Sequence, residues 1–121
     1  MPDKLNKPDL TETACEKLEA LISQTGIFQD WSIRKETRGE NTPDFIMELF
    51  GNKNNPARLL MVETRNSGEP RLAREAANSL LVKMQNWSHA FPLFIAPYIS
   101  EDAAELCTEK NINYMDLAGN C

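Results

Sequence analysis

Apolar and polar positions along the chain change period several times, and each change marks an element. Leu10, Ala14, Leu18, Leu21 and Ile22 recur at three- and four-residue intervals, which predicts a first helix of about four turns with one apolar face. Asp9 and Glu12 have the spacing of a capping box at its start, and Gly26 is the expected stop. Trp31, Ile33 and Thr37 then alternate with Ser32, Arg34 and Glu36, the pattern of a half-buried strand. Arg38 to Pro43 is turn-rich. A second strand is expected from Asp44 to Phe50, followed by a turn over Gly51-Asn52-Lys53-Asn54-Asn55-Pro56. Arg58 to Arg65 is apolar on both faces through Leu59-Leu60-Met61-Val62, which places it centrally in a sheet.

Helical spacing returns after Asn66-Ser67-Gly68. Pro70 suits a first helical position, where a missing amide donor costs nothing. Ala73, Ala76, Ala77, Leu80, Met84 and Trp87 form the apolar face of this second helix. Phe91-Pro92-Leu93-Phe94-Ile95-Ala96 reads as a buried strand. Ser100 is placed to cap a third helix, with Glu101 and Asp102 in a first turn whose dipole favours acids. Asn111 is expected to end it, and Ile112 to Leu117 forms a last strand. The predicted order is helix, three strands, helix, strand, helix, strand. Short turns favour an antiparallel meander for the first three strands, and the helical crossovers favour parallel pairing for the last two.

Composition adds limits. The 121 residues fit one domain, with 41% hydrophobic and 26% charged residues. No apolar run reaches the roughly 18 residues of a membrane span. The polar residues 1–8 lack the apolar core of a signal peptide, so a cytoplasmic location is the default expectation. The chain stops just after a strand, at Ala118-Gly119-Asn120-Cys121, which suggests the N-terminal part of a longer protein. Cys15, Cys107 and Cys121 show no paired ligand spacing and His89 is the single histidine, a poor set for structural zinc. Cys15 and Cys107 read instead as small core residues. The isolated Gly39, Gly51 and Gly68 make no phosphate-binding loop. His89, after a helix end, has no neighbour that suggests a nucleophile–base pair. A net charge of −5 lowers the expectation of tight nucleic-acid binding without ruling out a local basic surface.

The candidate chemistry lies at two strand ends. Pro43-Asp44 opens the run Phe45-Ile46-Met47-Glu48-Leu49-Phe50, and nineteen positions after Asp44, Glu63-Thr64-Arg65 closes the run Leu59 to Val62. Residues two apart on a strand point to one face, so Glu63 and Arg65 share a side. With the element order over roughly residues 9–97, these residues resemble the restriction-endonuclease-like PD-(D/E)XK nuclease superfamily. Ser67-Gly68-Glu69-Pro70-Arg71, Ile95-Ala96-Pro97-Tyr98-Ile99-Ser100 and Tyr114-Met115-Asp116-Leu117-Ala118-Gly119-Asn120 are similar to stretches in uncharacterised bacterial proteins of this type. The resemblance implies an α/β fold with an α-β-β-β-α-β core, an added α-β, and a mixed central sheet flanked by helices, all in a single domain over 1–121. It implies a catalytic set of Asp44, Glu63 and Arg65, and Mg²⁺ or Mn²⁺ held by Asp44, Glu63 and the carbonyl of Thr64. DNA is the implied substrate.

One residue departs from that pattern. The family has lysine where this chain has Arg65, and arginine cannot serve as a base because its pKa exceeds about 12. It retains bidentate pairing with phosphoryl oxygens. On the second helix, Arg71, Arg74, Asn78 and Gln85 fall within about 60° of one another. Arg71, Arg74 and Gln85 are therefore candidate nucleic-acid contacts, with a solvated face as the alternative. Glu16 and Glu19 are candidates for an extra metal ligand or for surface positions, and Asp116 with Asn120 for a polar cluster or a turn. The whole set also suits a non-catalytic regulatory module, with Glu63 and Arg65 as a strand-end ion pair and Asp44 as a turn residue. Exposed apolar residues such as Trp31 or Phe50 would instead serve assembly, including a homodimer.

Overall fold

The computed structural model describes residues 7–26, 28, 30–34, 43–51, 58–87 and 89–118. Eight elements follow one another: α1 (Lys7–Thr25), β1 (Asp30–Arg34), β2 (Phe45–Phe50), β3 (Arg58–Thr64), α2 (Pro70–Lys83), β4 (Ala90–Ala96), α3 (Glu101–Glu109) and β5 (Asn113–Asp116). The expectations for Thr37, for the turns through 38–42 and 52–56, and for Asn120 and Cys121 lie outside the described residues.

The sheet has the order β1-β2-β3-β4-β5. β1 runs antiparallel to β2 and β2 to β3, whereas β3, β4 and β5 are parallel. The mixed sheet thus combines the expected meander with two helical crossovers. Alternation along β3 divides its residues between two cores. Met61 packs with Ala73, Ala76, Ala77 and Leu80 of α2, with Phe94, and with Ala103 and Cys107 of α3. Val62 packs on the opposite face with Phe45, Met47, Ile95 and the α1 residues Ala14, Cys15 and Leu18. One helix therefore covers one face of the sheet and two cover the other. Each face is sealed by the side-chain period that belongs to its element.

Several helix ends follow the expected chemistry. Gly26 terminates α1 at φ 66, and Asn111 adopts φ 61 just beyond α3, a conformation that glycine and asparagine tolerate best. Ser100 caps α3, its Oγ accepting from Ala103 N at 3.1 Å. Pro70 opens α2, as expected. The start of α1 differs. Its first residue is Lys7, so Asp9 lies within the first turn rather than at the cap.

Loops at the carboxyl ends of β3 and β4 are locked together. Gly68 forms an isolated parallel bridge with Ile99, and its carbonyl accepts from Ser100 N at 3.2 Å and Ser100 Oγ at 3.3 Å. A Cβ at residue 68 would collide with the Tyr98 carbonyl oxygen and lie 2.6 Å from Ile99 Cα. Only glycine fits there without moving backbone.

Candidate functional site

The antiparallel pairing of β2 and β3 brings Asp44 and Glu63 to the same end of the two strands. Phe45 lies opposite Val62 at the end of the β2–β3 ladder, and Asp44, one residue earlier, donates its N–H to Val62 O at 3.0 Å. Asp44 then turns its carboxylate onto Thr64 of β3. Its Oδ2 accepts from Thr64 N at 2.7 Å and from Thr64 Oγ1 at 2.9 Å. Short bonds from an amide and a hydroxyl fix a carboxylate firmly, because the acceptor is charged.

Glu63 is 3% exposed, one of few buried acids among the described residues. It faces α2, on the same side as Met61. Its Oε2 accepts from Lys83 Nζ at 3.0 Å, while Oε1 accepts from Arg65 Nη1 at 3.2 Å and from Ser79 Oγ at 3.4 Å. Arg65 is itself tethered: Nε donates to Glu75 Oε1 at 3.0 Å and Nη1 also reaches Thr64 O at 2.9 Å. A buried carboxylate is tolerable only when paired and hydrogen-bonded, and here two cations and a hydroxyl meet that need. Among the described residues, no buried side-chain nitrogen or oxygen lacks a partner.

Lys83 escapes the sequence reading, although helix geometry carried a signal for it. Seven positions past Ala76 is nearly two whole turns, so Lys83 lies beside Ala76 at the edge of the apolar face formed by Ala73, Ala76, Ala77 and Leu80. A lysine at that edge can reach either solvent or an acid on the sheet. Side chains on a helix lean toward its amino terminus, which lets a residue of the last turn reach back to Glu63. The small, fully buried Ala73, Ala76 and Ala77 bring α2 close enough to the sheet for both Ser79 and Lys83 to touch it. Ser79 and Glu75 belong to the same missed group.

Other expected site residues fall elsewhere. Arg71 is exposed and paired with Glu69 at 3.3 Å, and Arg74 and Asn78 are exposed on α2. Gln85 lies beyond the helix, which ends at Lys83 with Met84 as its cap; Gln85 N donates to Val82 O at 3.2 Å in the following tight turn. The expected helix glutamine is therefore a turn residue. Glu19 accepts from the Trp31 indole at 3.0 Å. Trp31 lies opposite Leu49, roughly 16 Å along β2 from Asp44 at the strand spacing. Glu19 is thus committed at the far end of the strand, and Trp31 is half-buried against α1 rather than exposed. Phe50 is 39% exposed. Asp116, buried at the end of β5, accepts from Ala118 N at 3.0 Å in a turn.

Among the described residues no group of three or more His, Cys, Asp or Glu side chains is placed to hold a metal ion. A metal at this site would rest on two carboxylates. Mg²⁺ accepts such a set, since it prefers hard oxygens and keeps several waters. The carbonyl of Thr64 is a third oxygen in the same stretch, and it accepts from Arg65 Nη1 at 2.9 Å. Oxygen donors of this kind suit a hard divalent cation better than a soft one.

No protein-family model and no curated protein matches the chain. A solved structure of EndoMS in its apo form is similar at a TM-score of 0.43 and 13% sequence identity, over 83% of this chain and 44% of that one. The chain spans less than half of that protein's length. No helix among the described residues is long and apolar enough to cross a membrane.

Proposed function

We propose that this chain is a metal-dependent nuclease-like domain that hydrolyses phosphodiester bonds of DNA. The observation that supports the reading is that Asp44 and Glu63 stand at the same end of the β2–β3 pair, Asp44 bonded to Thr64 and Glu63 to Arg65 and Lys83. Asp44, Glu63 and the Thr64 carbonyl would hold Mg²⁺ or Mn²⁺. Such an ion acidifies a bound water and offsets charge on a phosphate. Arg65, clamped by Glu75 and the Thr64 carbonyl, orients Glu63 and offers a fixed cation to a phosphoryl oxygen. It is always protonated, so its contribution is electrostatic and positional.

Calorimetric titration with Mn²⁺ tests the centre. Heat of binding is expected for the native chain, with a loss of at least about tenfold in affinity for Asp44→Ala and for Glu63→Gln. Equal heats for all three remove the metal site. Nicking of supercoiled plasmid with Mg²⁺ or Mn²⁺, absent in Asp44→Ala, then tests the reaction.

A second reading has its own support. Both oxygens of Glu63 are taken by protein donors, and the Nε of Arg65 is taken by Glu75. A network that satisfies itself suits a regulatory or nucleic-acid-binding module that keeps the fold without cleavage. Arg65→Lys separates the two: gained cleavage identifies a decayed catalytic site, and continued inactivity with intact folding favours the module.

A further inference from the structure

We propose that Lys83 is a resident counter-cation of Glu63 that competes with a divalent metal ion for the same carboxylate, so that Lys83 sets the metal affinity of the site and faces the phosphate once it yields. The inference rests on the nuclease-like reading above and goes beyond it. Glu63 and Lys83 form an ion pair at 3.0 Å whose side chains are 4% and 12% exposed, so solvent screens it little. The two cations beside Glu63 are not equivalent. Arg65 retains Glu75 and the Thr64 carbonyl as partners if Glu63 turns to a metal. For Lys83, Glu63 is the one hydrogen-bond partner among the described residues.

The consequence is a defined order of events for the charges. A metal that takes Glu63 strands an ammonium in a largely buried position, where an unpaired charge is costly. Metal binding alone is therefore weakened by Lys83. An anionic phosphodiester beside the metal supplies the ammonium with a new partner and removes that cost. Metal and substrate then bind with positive coupling, and the coupling is reciprocal. The site thereby favours the metal most when a phosphate is present.

The decisive measurement is Mn²⁺ affinity by calorimetry for the native chain, Lys83→Met, Lys83→Gln and Lys83→Arg, with circular dichroism to establish folding. Ca²⁺-supported binding of a short duplex oligonucleotide supplies the coupling. Lys83→Met, similar in length but uncharged, is expected to bind Mn²⁺ about tenfold tighter than the native chain, since a repelling charge is gone. Lys83→Arg is expected at or below native affinity, and Lys83→Gln stands in if the methionine variant folds poorly. The native chain is expected to gain Ca²⁺ affinity when the oligonucleotide is present, and the uncharged variants to lose that gain. Folded Lys83→Met and Lys83→Gln with unchanged or weaker Mn²⁺ affinity overturn the inference while leaving the metal site standing. Absence of Mn²⁺ binding in the native chain and in every variant overturns the nuclease-like reading and this inference together. Binding confined to the uncharged variants supports the competition directly.

Discussion

Glu63 is the residue on which the charges around β3 converge, and its neighbours differ in how firmly they are held. Arg65 is fixed at three acceptors and Lys83 at one, which separates a clamp from a displaceable cation. That distinction was invisible in the residue types. Arg65 was legible as a departure from a lysine because it sits two positions after Glu63 on one strand. Lys83 is remote in the chain and becomes a neighbour only when α2 folds back on β3. Cys107 gives a second residue-scale result. It is fully buried, and burial raises its thiol from an ordinary 9.0 to about 11. A raised folded-state pKa means that the folded chain holds this proton more tightly than the unfolded chain. The resulting stability is full below pH 9 and is lost as pH rises toward 11. Melting temperature is therefore expected to fall more steeply over this window in the native chain than in Cys107→Ala. Parallel curves would show that Cys107 makes no such contribution. The native thiol is also expected to resist alkylation until the chain unfolds, because the thiolate is the reactive form.

Single elements owe their placement to local signals that the chain states openly. Ser100, Pro70, Gly26 and Asn111 each stand where helix chemistry wants them, and the structure uses all four. The end of α2 was less legible. Its apolar spacing continues through Met84 and Trp87, yet the last helical residue is Lys83. The chain tightens into successive i to i−3 bonds at Gln85, Asn86 and Trp87, which keeps those apolar residues near the core while ending the helix. Gln85 therefore stands in a turn and not on the helix. Gly68 carries the clearest element-scale prediction. Gly68→Ala is expected to destabilise the fold by at least about 2 kcal/mol, because the obstructing atoms are backbone and cannot rotate away. Urea unfolding measures it, and a loss below about 0.5 kcal/mol would mean that the bridge to Ile99 is not tightly made. The loop it anchors directly follows Arg65, so the same variant is expected to weaken Mn²⁺ binding.

At the scale of the molecule, an acidic chain is proposed to act on an acidic polymer, and the charge must be local to permit it. The net charge of −5 opposes approach, and the exposed Arg71 and Arg74 on α2 are candidates to offset it. If both arginines contact phosphates, Arg71→Ala with Arg74→Ala lowers the slope of log affinity against log salt for duplex DNA by about 2, measured by anisotropy in Ca²⁺. An unchanged slope assigns them to a solvated face. The sequence by itself determined the elements, their order and the split of apolar residues between faces, because those follow from side-chain period, caps and turn residues acting over a few positions. It also placed Asp44 and Glu63 at strand ends. Only the tertiary structure decided which charges share a pocket. Strand pairing set Asp44 on Thr64, the close approach of α2 brought Ser79 and Lys83 onto the Glu63 carboxylate, and Trp31 drew Glu19 to the other end of β2. Ion pairs between distant residues leave no period in a sequence. They are fixed by the backbone geometry that the local signals build together.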